Sequence, residues 1–234
     1  MNARARRLAP FAGYLMVALV FAAIATASNT PDAKASGAKV IAYYQHHRTN
    51  VHVQDFLLAY AALAAVVYFS AVATFLRSRG SQILATTMVG GGVLLAGGLC
   101  VGAGLNEALT DQPSRMSTAT AQALNLLSND LFGVMLFGGL ALATTSAGVA
   151  MLRTKALPTA LGVITTIVGV AAGTGILSWF AFMASGLLAL VVAPYVYSRS
   201  GQPGAITLPD ANVQIPEQPK ARTEAKPKAK ATSG

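Results

Sequence analysis

The chain has 234 residues, of which 54% are hydrophobic and 11% charged, whereas a soluble domain is usually about 25% charged. That shortage of polar side chains excludes a water-soluble globule of this size. The formal net charge of +9 does not point to nucleic acid, because the Lys and Arg are spread over loops and one tail instead of clustering on a folded face.

Charged residues between Leu8 and Ser198 sit almost entirely in short polar breaks, and the apolar runs between them carry none. Hydrocarbon cannot solvate a charge, and a spanning helix needs roughly 20 apolar residues to cross ~30 Å, so the pattern predicts an all-α polytopic membrane bundle. The first apolar run is Ala9 to Ala27, preceded by Arg4, Arg6 and Arg7. It reads as a retained first span, since it exceeds a signal-peptide core of about 7–15 residues, although Ala25-Thr26-Ala27 also fits a cleavage site. Spans two to four are predicted at Phe56–Leu76, Ile83–Leu105 and Leu131–Leu152. The uncharged stretch from Leu157 to Ser198 is about twice the length of one crossing, so it splits into spans five and six with a turn near Gly175 to Phe180. Trp179 at that turn, and Tyr195 and Tyr197 at the far end, suit the headgroup level. The total is six transmembrane helices within residues 1–198.

Lys and Arg are retained on the cytoplasmic side of short loops. Arg4, Arg6, Arg7, Arg77, Arg79, Arg153, Lys155 and Arg199 fall on one side and sum to +8. Lys34, Lys39, Arg48 and Arg115 fall on the other with Asp32, Asp55, Glu107, Asp111 and Asp130, for a sum of −1. Both termini are therefore expected in the cytoplasm. Residues 199–234 form a Pro- and Lys-rich tail, expected to be disordered and cytoplasmic, in which Lys220, Arg222, Lys226, Lys228 and Lys230 would be attracted to anionic lipid.

Association in lipid relies on close packing at small residues. Gly98 with Gly102, and Gly169 with Gly173, are each four apart and are expected to mark helix contact faces, within one chain or in a homo-oligomer. Cys100, the only cysteine, has no partner for an intramolecular disulfide and reads as a small core residue.

Two outer segments are too long to be simple turns. Val40, Ile41 and Tyr44, with Thr30 or Ser36 as caps, suggest a short amphipathic helix on the membrane surface, whose faces carry Ala38, Ile41, Ala42 and Gln45, and Val40, Tyr44 and His47. Met116, Ala119, Ala123, Leu126 and Leu127 suggest a second between Ser114 and Asp130.

His46, His47 and His52 with Asp55 form a group with metal-ligand chemistry, but their spacing matches no zinc motif, and neither a metal nor another cofactor is expected. Asp55, Asn106, Glu107 and Asp130 mark the outer ends of spans two to four. They would form a polar vestibule, or simply place charges where helix ends tolerate them. Mid-span positions carry no ionisable acid or base, where ion-coupled pumps place their working groups. No phosphate-binding glycine loop, nucleophile elbow or HExxH helix is present, which disfavours an ATP-driven machine and an intramembrane hydrolase.

Asn29-Thr30-Pro31-Asp32, Val40 with Ala42-Tyr43-Tyr44 and His47-Arg48, Ala121 to Asn125, and Arg153 to Pro158 resemble a family of bacterial, chiefly actinobacterial, integral membrane proteins of uncharacterised function. The resemblance covers about residues 8 to 198 and implies a plasma-membrane location without naming any activity. The leading expectation is a non-enzymatic interaction or assembly partner in the inner membrane. The alternatives are a small-solute or lipid transporter with an outer vestibule, and a metal-dependent membrane enzyme using the outer histidines.

Overall fold

The computed structural model describes residues 8–27 and 30–199, which form helices joined by short turns, with no strand among the described residues. Helix α1 (Ala12–Thr26) is entered through a single 3-10 turn at Ala9–Phe11, where Pro10 takes a first-turn position that needs no N–H. Helix α2 (Gly37–His46) is short; α3 (Arg48–Ser78), α4 (Gln82–Asp111) and α5 (Thr118–Thr154) are long; α6 (Thr159–Ala172) and α7 (Ser178–Arg199) complete the chain. The tail from residue 200 onward and the Arg4, Arg6 and Arg7 cluster lie outside the described residues.

Turn chemistry sets the ends. Gly80, at φ +91°, lets α3 reverse into α4 within three residues, in a backbone region that L side chains rarely adopt. Ser117 caps α5 by accepting from the Thr120 N–H at 3.1 Å. Lys155 closes α5 with φ +49°, and Pro158 precedes α6.

Among the described residues, five helical segments are long and apolar enough to cross a membrane: residues 9–26, α3, α4, α5 and α7. Of the six expected crossings, the fifth is observed as a shorter element, because α6 has 14 residues and rises only about 21 Å. Its end is set by Gly173-Thr174-Gly175, where the Thr174 hydroxyl donates to the Ala171 carbonyl and Gly175 takes φ +74°. The α6–α7 turn lies against Ala141 and Phe137 of α5. Counted along α5, that is about 9–15 Å short of Leu131.

Glycines set the tightest contacts. A Cβ on Gly91 would run into the backbone of Gly139 and Ala143, and one on Gly139 into that of Gly91 and Leu95, so α4 and α5 touch main chain to main chain. Gly98 and Gly102 continue this face against Met135, Leu136 and Phe132. Gly148 meets Gly162 and Thr166 across α5 and α6, and Gly169 abuts Thr145. Gly173 lies just past α6, where an added Cβ would stand an ordinary 3.5 Å from Ala141, and Cys100, expected in the core, is exposed.

The outer segments also differ from expectation. Residues 118–130 do not form a separate surface helix but continue unbroken into α5, whose 37 residues span about 55 Å. Nothing in that stretch breaks a helix, and the buried face is Ala121, Asn125 and Ser128, while Leu126 and Leu127 are 46% and 47% exposed. Helix α2 forms where expected, with Ser36 at the cap position. It lies on protein: Val40, Tyr43 and Tyr44 are buried, and Gly37 sits so close to the Thr118 backbone that no side chain fits. Ala38, Ala42 and Gln45 face outward.

The result is two apolar cores. A large one fills the bundle, and a small one, with Val40, Tyr44, Val51, Leu109 and Ala121 at its centre, lies beneath α2 among α3, α4 and α5. Arg77, Arg79, Arg153, Lys155 and Arg199 lie at helix ends on one side of the bundle, and Asp55, Glu107, Asp111 and Asp130 lie in the opposite halves of their helices.

Candidate functional site

Two places hold polar chemistry, one in the cap formed by α2 over the ends of α3, α4 and α5, and one inside the bundle. In the cap, Asn106 of α4 is the hub. Its Oδ1 accepts from the Tyr44 hydroxyl at 2.9 Å and from Ser128 Oγ at 3.3 Å, and its Nδ2 donates to Asp55 Oδ1 at 3.3 Å. One amide thus ties α2, α3, α4 and α5 together. Burial, with Asp55 close by, pushes the Tyr44 hydroxyl above its usual range, which keeps it a neutral donor. Asp55 is 6% exposed, and its Oδ2 is sealed without a partner. A second clamp comes from Asn125 of α5, whose Nδ2 donates to the Asp32 carbonyl at 2.8 Å and holds the segment before α2.

Of the four outer residues singled out by sequence, Asp55 and Asn106 are bonded to each other. Glu107 is turned to a different partner, His52, whose Nδ1 lies 2.7 Å from its carboxylate on a partly exposed surface. Asp130 is exposed on α5 and outside the network. The histidines do not gather around one point. His47 Nδ1 lies 3.1 Å from the Tyr43 carbonyl with its ring stacked on Tyr43, while His46 is exposed and touches only the edge of His47. Among the described residues, no three His, Cys, Asp or Glu side chains are arranged to hold a metal ion.

Sequence reasoning missed Tyr44, Ser128 and Asn125 as members of this network. The available signal was the small and polar row Ala121, Asn125 and Ser128, which falls on one helical face at four- and three-residue spacing.

The second place is a cavity of about 60 Å³ in the bundle, partly open to the outside. α1, α3, α4, α5 and α7 wall most of it, with Thr165 of α6, and its lining is apolar except for the hydroxyls of Tyr68, Thr144, Thr165 and Ser185. Asp55, Glu107 and Asp130 are not part of it.

Apolar helices of crossing length, ionisable groups at their ends and a hydrogen-bonded cap define a multi-pass α-helical membrane protein. Comparison with protein-family models, curated proteins and solved structures finds no match to the chain.

Proposed function

We propose that this is a non-enzymatic protein of a bacterial cytoplasmic membrane, with both termini in the cytoplasm, acting as an interaction or assembly partner through its outer cap. Kinship with the actinobacterial membrane family is part of the same reading. The observation that carries it is the cap itself. The ends of three helices project beyond the apolar band, locked by Asn106 to α2, while Leu126 and Leu127 remain exposed on its flank. An extramembrane surface that is fixed in shape and partly apolar suits a protein contact better than solvent. The basic helix ends Arg77, Arg79, Arg153, Lys155 and Arg199 support the orientation through retention of positive charge.

The test is photo-crosslinking in native membranes from Leu126 and Leu127, with Val134, 73% exposed further along α5, as the lipid-facing control. A discrete protein adduct from the two cap positions and none from Val134 is expected. Lipid adducts alone from all three would overturn the reading.

A further inference from the structure

The cavity in the bundle contains hydroxyls that the fold leaves without partners. Tyr68 of α3 and Thr144 of α5 both line it and are each 6% exposed. Among the described residues neither hydroxyl has a hydrogen-bond partner, and neither belongs to the unpartnered atoms that are fully sealed from space. Other lining hydroxyls are satisfied locally: Thr165 donates to the Leu161 carbonyl at 2.7 Å and Ser185 to the Phe182 carbonyl at 2.8 Å. A helical threonine ordinarily bonds back in this way, and a buried tyrosine ordinarily finds a partner. In a bilayer no water lies beside the helix to replace it.

The two residues share a backbone depth. Tyr68 is eight residues from Leu76 and Thr144 eight from Leu152, about 12 Å inside the apolar band from the basic end. A phospholipid keeps its ester oxygens at the headgroup level, so it offers only methylenes at that depth. The lining carries no charged side chain, so a charged headgroup drawn inside would be left unpaired at high cost.

The rest of the wall suits an apolar guest. Met16, Met88, Met151 and Met183 line it, and methionine side chains adapt to irregular shapes. Of its walls, α1 and α7 are the least covered by protein. Only 22% and 28% of their apolar windows are buried, against 50–56% for α3, α4 and α5. Phe21 on its edge is 47% exposed. Gly186 of α7 meets Val17 of α1 at no closer than 3.7 Å from where a Cβ would stand, so these two helices lack the main-chain contact of α4 and α5 and are tied instead by the Tyr14 hydroxyl, which donates to the Leu190 carbonyl at 2.9 Å.

We propose that this cavity is a binding site for an uncharged lipid-soluble molecule bearing a hydroxyl or carbonyl oxygen, entering from the bilayer between α1 and α7, with Tyr68 and Thr144 bonding that oxygen.

The intact protein is reconstituted in phosphatidylcholine nanodiscs with one of two probes. One is a long-chain alcohol carrying a diazirine, and the other is phosphatidylcholine with the same diazirine on an acyl chain. After illumination, labelled residues are mapped by mass spectrometry. The alcohol is expected to label cavity residues such as Met88, Leu140 and Met151, and the phospholipid to label outward-facing Leu63, Val134 and Ile167. Tyr68→Phe with Thr144→Val removes both oxygens at nearly constant shape and should lower inward labelling about tenfold, with outward labelling unchanged. Ala147→Leu, filling the cavity, should block it independently. The proposal is overturned if the alcohol labels only outward positions, as a cavity holding nothing but water would give. It is equally overturned if inward labelling survives the paired substitution, or if the phospholipid labels the cavity as well as the alcohol does.

Discussion

Replacing Gly91 or Gly139 by leucine should destroy the folded bundle rather than loosen it. At both positions the nearest atoms to an added Cβ are main-chain atoms of the facing helix, which cannot change rotamer to make room. Helices α4 and α5 would have to separate along the face that Gly98 and Gly102 continue. Ordinary overpacking costs about 1–3 kcal/mol, and here a whole interface must open as well, so the loss should exceed ~4 kcal/mol. Size-exclusion chromatography and thermal unfolding in mild detergent are expected to show aggregated or unfolded protein. Gly90 is the control, since nothing lies within 4 Å of a Cβ added there. Gly90→Ala should be neutral or stabilise by up to about 1 kcal/mol through helix propensity. If Gly91→Leu behaved like Gly90→Ala, the α4–α5 contact would be wrong.

The second large effect is expected at Asn106. Asn106→Leu leaves the Tyr44 hydroxyl, Ser128 Oγ and Asp55 Oδ1 without their partner in a place water does not reach freely. Each stranded buried group costs about 1–3 kcal/mol, and the three together should release α2 from the cap while the bundle below stays assembled. Hydrogen exchange should show this as lost protection of the Gly37–His46 amides, with α4 and α5 still protected deep in the bundle. Asp55→Asn should behave differently. It keeps an oxygen to accept from Asn106 and removes only a carboxylate oxygen that had no partner. Insertion should be intact and stability within about 1 kcal/mol of the parent. Equal loss of protection in the two variants would mean that the carboxylate, and not the amide, organises the cap.

The membrane helices were legible because the penalty for burying a charge in hydrocarbon is large enough to override every other preference. The breaks at Arg77–Arg79 and Arg153–Lys155 therefore fall close to the observed helix ends, and the split of the uncharged stretch lies within a few residues of the turn at Gly173–Leu177. Helix length was less legible. Length and hydropathy allowed a full crossing at α6, but a local pair of glycines with a threonine hydroxyl ended it early.

Faces were the least legible, for a physical reason. In a membrane protein both the lipid side and the packed side of a helix are apolar, so periodicity marks a helix without saying what its apolar side touches. That is why Leu126 and Leu127 read as the apolar side of a membrane-surface helix, whereas they are exposed on α5 and it is Ala121, Asn125 and Ser128 that face the protein. Gly98 and Gly102 could be recognised as contact residues by spacing, but the Gly91–Gly139 pairing joins residues 48 positions apart, and a single sequence does not register such pairs. The cap network has the same character. Asn106 and Asp55 stood out as polar residues at helix ends, whereas Tyr44, 62 residues from Asn106, enters only through folding.

The central claim is that the chain is threaded repeatedly through a bilayer with its basic turns inside, and side-specific labelling tests it most directly. Single cysteines at Ser36, Ser78, Ser114 and Thr154, on a Cys100→Ser background, would be exposed to a membrane-impermeant maleimide in intact cells and again after the cells are opened. The account predicts labelling of Ser36→Cys and Ser114→Cys from outside, and of Ser78→Cys and Thr154→Cys only after opening. Labelling of Ser78→Cys in intact cells would reverse the orientation, and equal labelling of all four before opening would contradict the threading itself.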